Sequence, residues 1–492
     1  MPVETPSEAY NKAKENWLRV RAVVAGQKAM QANAGEFVRR PQGFDDEEWE
    51  RYVKFAPFLG ATSRTLDGIT GLVFFNDPKV VVPKTIEAIN VDATGDGVPL
   101  RAFAQRVFSD VLQTEHTGIL VDFPKADPNI RNRRDEDRSG RRPYLAHYPA
   151  ESIISWRMGK VRGTLKLVEV RLCEEVEVQK DEWDKETVER IRVLQIADPE
   201  NPVYVQRVFE ARKVGEKGMF IELLEEATTP KINGKTLDYI PFWFINPIDQ
   251  TPSLSEPPLL PLANANAAHY NTSAQLEHGL FYVAMPQPYV CGVDKEDLKD
   301  EDGKEVLKIG SGVWTFPDHQ AKVAYLEFQG QGLESLEKRL DRHEQAMAIL
   351  GARMLAPDKK DAETAEAAQI HRQGEISVAA MTARSVSAGI TDALRVCAEW
   401  QGAAGECTYA LNVEFLNRVL TPSEAAELMK LWQSGAIAYT DMLALFQKGQ
   451  LIKPERTPEE IAAEIQSSPV QPMFTGLTDN EDDPEDNPEN GG

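Results

Sequence analysis

Two long helix-like stretches, separated by a short extended one, dominate the second half of the chain. Residues 257–284 are rich in alanine, leucine and asparagine, and prolines at both ends bound a helix of roughly twenty-five residues. The following residues, 285–292, form a proline-interrupted segment of extended character. A second helix begins near Leu333. This order predicts a stalk of two helices with a small module at its tip.

The second helix carries an apolar stripe whose members recur at alternating steps of three and four residues. Such spacing is typical of a helix seam of the a/d type, interrupted here by one histidine. Two interpretations stay open, because the stripe can pack inside the subunit or against a neighbouring subunit. The stripe comprises Leu333, Leu336, Leu340, His343, Met347, Leu350 and Met354.

The first 256 residues change from helical to strand periodicity. Apolar residues at helical spacing predict helices within 10–30, 45–58, 63–75 and 99–115. From residue 144 onward, apolar and charged residues alternate, which predicts antiparallel strands with one face in water. The predicted fold class is therefore α+β. The predicted strands are 80–83, 118–122, 161–172, 187–196, 202–209, 219–224 and 241–245.

The last quarter of the chain carries local start signals for helices. Both Thr421-Pro-Ser-Glu424 and Thr457-Pro-Glu-Glu460 match the capping-box pattern. Before them, an alanine-rich run predicts a helix ending near Trp400, and residues 407–415 alternate as a strand does. Residues 479–492 hold seven acids, no base and no apolar residue, so we expect this tail to be disordered.

The charge balance argues against a protein that grips nucleic acid. The 492 residues include 78 acidic and 55 basic side chains, a net charge of -23. Tight nucleic-acid binding normally needs a basic footprint, because affinity comes from neutralising phosphates. The same balance suits a conduit through which DNA slides without sticking, since a negative lining offers no deep electrostatic trap.

Cysteine usage and the N-terminal sequence predict a chain that is neither secreted nor membrane-spanning. Cys173, Cys291, Cys397 and Cys407 form no CxxC pair and lack a histidine at zinc spacing, so reduced thiols are expected. The first residues lack the basic and apolar regions of a signal peptide. No apolar run approaches the ~20 residues that a membrane helix needs.

Two motifs imitate ligand sites without completing them. Gly234-Lys235-Thr236 resembles the end of a phosphate-binding loop, but the glycine required at position 229 is threonine, and Asn233-Gly234 predicts a β-hairpin turn. Asp92 to Gly97 begins like a calcium loop whose twelfth position is Phe103 instead of glutamate. The sequence therefore indicates no catalytic, metal or cofactor residues, and we predict a protein that is not an enzyme.

Several stretches, in their order and spacing, resemble the portal protein family of tailed bacteriophages. The similarity extends over most of the chain, and its strongest pieces flank the predicted stalk. The similar stretches are Tyr52 with Pro57-Phe58, RTLDGITGLVF (64–74), HTGILVDFP (116–124), PFWFIN (241–246), PLANANAAHY (261–270), MPQPY (285–289) and EQAMAILGARML (344–355).

This resemblance implies a subunit with an α/β wing, long stem helices, a small clip insert and a helical C-terminal crown. Such subunits form a ring, usually of twelve copies, in the virion, after assembly in the host cytoplasm. The implied divisions are 1–256 (wing), 257–285 (stem helix), 286–330 (clip), 331–361 (second stem helix and tunnel loop), 362–420 (wing return helix and strand), 421–478 (crown-like helices) and 479–492 (acidic tail).

The resemblance also implies a function and partners. The ring at one capsid vertex would pass double-stranded DNA, without sequence specificity, during packaging and ejection. It would meet a terminase motor, a head-completion adaptor, and capsid and scaffold proteins. The implied tunnel loop contains Pro357, Asp358, Lys359 and Lys360, although lysines in such a break are also common in solvated turns. The implied docking residues of the clip are Pro286, Pro288, Tyr289 and Trp314.

Two other functions were weighed against the portal interpretation. A head-to-tail adaptor or minor capsid protein would also be acidic and symmetric, but the order of stem, clip and stem argues against it. A hydrolase using paired carboxylates can be suggested for any acid-rich chain, yet no site constellation supports one here.

Overall fold

The structure is a computed structural model, and it separates into two compact units, Met1–Val413 and Glu414–Gly492. The division within the first unit into wing, stem and clip stays a prediction. The residues that the structure describes are 2–124, 141–214, 217–223, 227–284, 287–291, 322–326, 332–353, 377–403, 405–413, 422–448 and 457–467.

Local sequence signals set the ends of most helices in the first unit. The Ser7 hydroxyl caps α1 by accepting from the Tyr10 N–H, and Asp45 and Glu48 form a capping box at the start of α4. The helix expected across 10–30 is interrupted at Gly26, whose φ of 88° ends α1. The helices are α1 (Glu8–Ala25), α2 (Gln27–Ala32), α3 (Ala34–Phe37), α4 (Asp46–Phe55), α5 (Ala61–Val73), α6 (Leu100–Thr114), α7 (Leu260–Ala284), α8 (Leu333–Arg353) and α9 (Val378–Trp400).

The strands of this unit confirm the antiparallel expectation, since every strand pair among the described residues is antiparallel. The mixture of helices and sheets agrees with the α+β class. The strands are β1 (Lys79–Val81), β2 (Thr117–Asp122), β3 (Tyr144–Pro149), β4 (Ile153–Val161), β5 (Thr164–Gln179), β6 (Lys185–Ile196), β7 (Tyr204–Val214), β8 (Lys217–Glu222), β9 (Lys231–Ile232), β10 (Lys235–Thr236), β11 (Phe242–Ile245), β12 (Gln287–Cys291), β13 (Lys322–Leu326) and β14 (Thr408–Ala410).

Two strand predictions are wrong in their extent. The expected strand 161–172 is divided by a turn, because Arg162 and Gly163 have φ values of 48° and 82° and connect β4 to β5. Within the described part of the strand expected over 407–415, residues 407–413, only β14 is a strand, and it pairs with β1. Asn233 and Gly234, with φ of 50° and 78°, confirm the predicted hairpin turn between β9 and β10.

A small sheet and two helices form the centre of the core. The sheet has the order β11-β2-β3, and all six residues of β2 are buried. Helices α6 and α9 both pack on it, with Phe103, Phe108 and Ile390 among the side chains excluded from water. Burial on both faces explains why β2 is a continuous apolar run instead of an alternating one.

The larger sheet has the order β4-β5-β6-β7-β8, with Leu172, Leu194 and Tyr204 buried on one face and Ile191 and Val193 buried on the other face. Helix α1 covers this second face, and Tyr10 and Trp17 pack with Ile154, Ile191 and Val193. On the opposite face, Arg192 pairs with Glu174 and Asp122, so the prediction of one face in water is wrong for the middle of this sheet.

The second unit is described as three short helices with their own small core. Met442, Leu443 and Ile461 are buried there, with Trp432 and Tyr439 packed against them. Thr457 and Glu460 exchange hydrogen bonds of 3.1 and 3.2 Å, which confirms the predicted capping box. The second of these helices was not predicted. They are α10 (Pro422–Gln433), α11 (Tyr439–Lys448) and α12 (Pro458–Ser467).

Candidate functional site

The first half of α7 is held in place by the buried side-chain amide of Asn266. Asn266 is fully buried, and its Oδ1 accepts from both the Thr62 N–H (3.1 Å) and the Thr62 hydroxyl (3.0 Å). Its Nδ2 donates to the Leu59 carbonyl at 2.7 Å. Three backbone and side-chain groups at the start of α5 are thus satisfied by one side chain of α7. This arrangement sets the position of α7 along its axis as well as its distance from α5.

Further contacts hold the body-facing side of α7. The Tyr270 hydroxyl donates to the Val53 carbonyl (3.3 Å), and the Arg39 N–H donates to Asn271 Oδ1 (3.0 Å). Two turns further on, the His278 ring lies 5.1 Å from Phe44 and 5.3 Å from Tyr52, between ring centroids. Helix α7 is therefore held by backbone groups and aromatic side chains from separate N-terminal segments.

Exposure rises along α7. Its residues from Leu262 to Ala274 are mostly buried, whereas Glu277 and the turns beyond it are largely exposed. Leu280 is 39% exposed and Val283 is 37% exposed, although both are apolar. The far end of α7 thus presents apolar side chains outside the core of the subunit.

The predicted stripe on α8 faces α7 and α5. Met347 is buried, and Leu333, Leu336, Leu340, His343 and Leu350 are half-buried. A Cβ at Gly279 of α7 would lie only 2.5 Å from Leu333 Cδ2, so the helices approach closely there. His269 Nε2 lies 3.4 Å from Glu344 Oε1 across the two helices. The stripe is used inside the subunit, and its use between subunits stays a prediction, while Met354 lies outside the described residues.

The tip of the helix pair is a two-stranded sheet. Strand β12, which follows α7, pairs with β13, which precedes α8, and Pro288 and Tyr289 lie opposite Tyr325 and Ala324. Among the described residues this sheet has two strands, and a strand with one partner accommodates Pro288, which lacks an N–H. Pro286 and Trp314, and the tunnel-loop residues Pro357, Asp358, Lys359 and Lys360, lie outside the described residues.

A buried ionic cluster joins α1, α6 and β3. Arg21 Nε donates to Glu151 Oε1 at 2.8 Å, and its Nη2 pairs with Asp110. Burial alone would raise the pKa of Asp110, but His147 and Arg21 hold that pKa below its ordinary value. Thr117 and Asp110 both face His147 Nε2, at 2.8 and 3.3 Å. The single His147 Nε2 contacts both the Thr117 hydroxyl and the Asp110 carboxylate, and the Thr117 hydroxyl also donates to the Tyr148 carbonyl. This is therefore a structural cluster and not a nucleophile with its base.

Beside that cluster lies a histidine surrounded by aromatic rings. His116 is fully buried, with ring centroids of Trp156 and Phe244 at 4.9 and 5.1 Å. Burial lowers the pKa of His116 to about 4, so the ring is neutral at pH 7. Both of its nitrogens lack a hydrogen-bond partner among the described residues. The preceding residue, Glu115, is also buried, and burial raises its pKa to about 7.

The described residues supply no candidate for metal or cofactor chemistry. They contain no group of three or more histidine, cysteine or acidic side chains placed to hold a metal ion. Cys173, Cys397 and Cys407 are free thiols. Among the described helices, none has the length and apolar character required to cross a bilayer.

Sequence reasoning missed one exposed feature. The loop between β5 and β6 carries Trp183, which is 91% exposed at the end of a strand ribbon rich in acids. A single tryptophan within the charged run DEWDKE was the available signal. The sequence alone does not show that Trp183 lies on a projecting ribbon, because this depends on how far β5 and β6 pair with each other beyond their neighbouring strands.

Comparison with known proteins gives a partial family match and distant structural likenesses. A family model described as a domain of unknown function (DUF4055) matches residues 258–401, from α7 to the end of α9. The match covers less than half of the chain, and its description names no activity. No curated protein matches the sequence.

Solved structures that are similar include chains from gene transfer agent (GTA) particles. A chain from the neck of an empty particle, computed with C6 symmetry, is 12% identical, with 84% of this chain and 96% of that chain covered and a TM-score of 0.38. Chains from a native GTA virion and from a native neck with C12 symmetry are each 13% identical, with coverages of 84% and 97% and TM-scores of 0.34 and 0.35. Likeness at this level carries no argument about function.

Proposed function

We propose that this chain is the subunit of a portal-type ring, a structural conduit for double-stranded DNA at a capsid vertex. The observation that carries the proposal is the α7–α8 pair with the β12–β13 sheet at its tip. The pair is rooted in the body by Asn266 and ends in a separate small module. This arrangement suits a stem and clip.

The exposed apolar residues at the far end of α7 support contacts between subunits. Leu280 and Val283 lie where the helix has left the core, and Ile349 of α8 is 55% exposed. Isolated exposed apolar residues are normal on a protein surface. Their occurrence on both helices of one projecting pair favours packing between neighbouring stems in a ring.

The charge of the chain supports passage of DNA without retention. A net charge of -23 per subunit makes the assembled ring strongly acidic. DNA moving through such a ring meets weak repulsion. A few basic side chains would make transient contacts with its phosphates, and Lys359 and Lys360 are the proposed candidates.

Mass and shape measurements on the full chain test the proposal. Light scattering of the purified protein should give a mass near twelve times 54.9 kDa, and negative-stain images should show stalked rings with a central channel. A head-to-tail adaptor would give a ring without the stalk. A monomer at all concentrations and salt conditions would refute the ring, and with it the conduit.

The tip is proposed as the docking surface for head-completion proteins, through Pro288, Tyr289 and Trp314. Deletion of residues 293–308 should leave the number of subunits in the ring unchanged, because the deleted residues lie outside α7 and α8. It should abolish co-purification of an adaptor encoded in the same genome. Unimpaired adaptor capture by the deletion variant would remove the docking assignment and leave the ring proposal intact.

A further inference from the structure

A two-stranded ribbon extends out of the larger sheet. Strand β5 pairs with β4 only as far as Leu172, and β6 pairs with β7 only from Arg190 onward. Between these limits, β5 and β6 pair only with each other, up to Gln179 opposite Lys185. Residues 175–189, here named the acidic ribbon, therefore have no neighbouring strand on either side among the described residues.

The acidic ribbon is charged along its length and aromatic at its end. It holds seven acids and two bases, and one of these bases, Lys185, pairs with Glu177 at 2.8 Å. The turn is ordered, since the Lys180 N–H donates to the Asp184 carbonyl at 2.9 Å. Trp183 is nevertheless 91% exposed. Tryptophan is enriched among interface anchors, so an exposed one at the end of a strand ribbon indicates a contact surface.

The opposite end of β5 has the complementary character. The turn from β4 to β5 is here named the basic hairpin, residues 157–166. Lys160 lies opposite Leu165 in the register, and Met158 shares their face. Leu165 is 65% exposed and Met158 is 38% exposed. The face is thus apolar with a cation at its centre.

The cations of the basic hairpin include two that are available. Arg157 pairs with Glu169, and Lys166 lies 3.7 Å from Asp238. Lys160 and Arg162 are exposed and have no ion pair among the described residues. Both are suited to a tryptophan ring, because lysine and arginine bind its face by cation–π attraction. The acidic side chains next to Trp183 would then lie close to Lys160 and Arg162.

These two surfaces cannot meet within one copy of the chain. Strand β5 runs from Thr164 to Gln179 between them, and at a rise of ~3.3 Å per residue its ends are about 50 Å apart. The acidic ribbon of one copy can, however, reach the basic hairpin of another. A contact between different surfaces of identical subunits is heterologous, and such contacts close into rings when the rotation permits.

We propose that the acidic ribbon docks on the basic hairpin of the next copy in the ring, with Trp183 seated on the Met158, Lys160 and Leu165 face. The inference rests on the proposed ring and adds the surfaces that join neighbouring subunits. The contact is small and mostly charged, so it governs the choice of neighbour and the salt dependence of assembly, while the helices supply larger apolar area.

A charge exchange between two variants tests this directly. The ribbon variant carries Glu182→Lys and Asp184→Lys, and the hairpin variant carries Lys160→Glu and Arg162→Asp. Aspartate suits position 162 because it tolerates the left-handed backbone there. Each variant alone places like charges at the contact, and its half-assembly concentration should rise roughly tenfold or more at low salt.

A one-to-one mixture of the two variants should assemble again, because each lysine-bearing ribbon then faces an acidic hairpin and each native ribbon faces a native hairpin. The matched control carries Glu36→Lys and Glu87→Lys, two exposed positions away from both surfaces, and should assemble as the wild type does. Native mass spectrometry across concentration and salt supplies the readout.

The outcomes separate this inference from the ring itself. If the wild type forms rings and both charge variants assemble as well as the control variant does, the ribbon contact is refuted while the ring proposal stands. The same holds if the variants form normal rings but lose capture of another protein, which would assign the ribbon to that partner. A mixture no better than either variant alone would also refute it. A monomeric wild type would refute both proposals.

The tryptophan provides a second and independent test. Trp183→Ala should raise the half-assembly concentration, whereas Trp183→Phe should retain most of the wild-type assembly, because phenylalanine keeps a ring for the cation and for Met158. Melting of the monomeric fraction should be unchanged in both variants, since the side chain is exposed. Assembly of the alanine variant equal to that of the wild type would remove Trp183 from the contact.

Discussion

Helices α7 and α8 have similar lengths, 25 and 21 residues, yet they are held by opposite means. In α7, Glu277 is the only acidic or basic residue other than histidine, and most residues in the first half of the helix are buried. In α8, Met347 is the only buried side chain among the described residues, and eight of the 21 positions are acidic or basic residues other than histidine. Only α8 shows a clear apolar stripe. The helix with the weaker periodicity is therefore the more deeply integrated one, as expected for a helix that is apolar on all sides.

The difference follows from what surrounds each helix. A buried helix must satisfy its polar side chains within the protein, and α7 does so through Asn266, Tyr270 and Asn271. A surface helix needs only one apolar stripe, and its charges stay in water. Removing a polar group from α7 should consequently cost more than removing an apolar one from α8.

The largest effect is expected from Asn266→Ala. The substitution leaves the Thr62 N–H, the Thr62 hydroxyl and the Leu59 carbonyl without their buried partner, which should lower the free energy of unfolding by about 3 kcal/mol or more. Asn264→Ala is the matched control on the same helix. Asn264 is exposed and accepts one exposed bond from Arg19, so its loss should stay within about 0.5 kcal/mol.

Urea unfolding of both variants supplies the measurement. Equal and small losses for Asn266→Ala and Asn264→Ala would show that α7 is held by apolar contact alone. The contrast between the two helices would then fail.

Helix bounds could be predicted from the sequence because their signals are local. The prolines flanking 257–284 and the capping box at Thr457 act within a few residues of the helix ends, and the structure has helices there. Asn266 shows the limit of such reasoning. Its partner Thr62 is 204 positions away, and nothing near either residue reveals the pairing.

Strand predictions failed where register decided the outcome. The alternation within 161–172 is continuous in the sequence, but Arg162 and Gly163 turn the chain there. The acidic ribbon could likewise not be predicted, because its projection depends on where β4 and β7 stop pairing. The predicted tunnel loop lies outside the described residues, so Lys359 and Lys360 remain predictions from resemblance.

The second expected effect concerns pH and the segment that leads into α7. Glu115 hydrogen-bonds with Ser255, shortly before α7 begins, and its folded pKa of about 7 lies above the ordinary 4.5. Its contribution to stability is therefore full below pH 4.5 and is lost as the pH rises through 7. His116 behaves in the opposite way. Its folded pKa of about 4 lies below 6.5, so its contribution is present above pH 6.5 and is lost as the pH falls through 4.

Single variants should separate these opposing slopes. Relative to wild type, Glu115→Gln should gain roughly 3 kcal/mol between pH 4 and 7.5, because glutamine imitates the protonated acid and does not ionise. His116→Phe should lose a similar amount relative to wild type over that interval, since phenylalanine lacks the histidine titration. The double variant should differ from wild type by a nearly constant amount. Urea unfolding at several pH values checks this, and parallel curves for all four proteins would contradict it.

The smallest effect is expected on α8, from Met347→Ala. Met347 is 3% exposed, and its truncation opens a gap between α8 and the body. Buried methionine truncations cost about 2–5 kcal/mol, and the value here should lie near the lower limit because the other stripe residues are only half-buried. Gln345→Ala, at an exposed position two residues away, is the control.

The destabilisation caused by Met347→Ala should affect α8 more than it affects unfolding of the whole subunit. Helix α8 touches the body through one stripe, so it can undock while α7 stays in place, and the loss is limited by the free energy of that undocking. Hydrogen exchange should therefore speed up in the amides of α8 and stay unchanged in the first half of α7. Equal acceleration in both helices would mean that they open as one unit. The polar anchoring of α7 would then extend to α8, and the contrast between the two helices would be one of composition and not of stability.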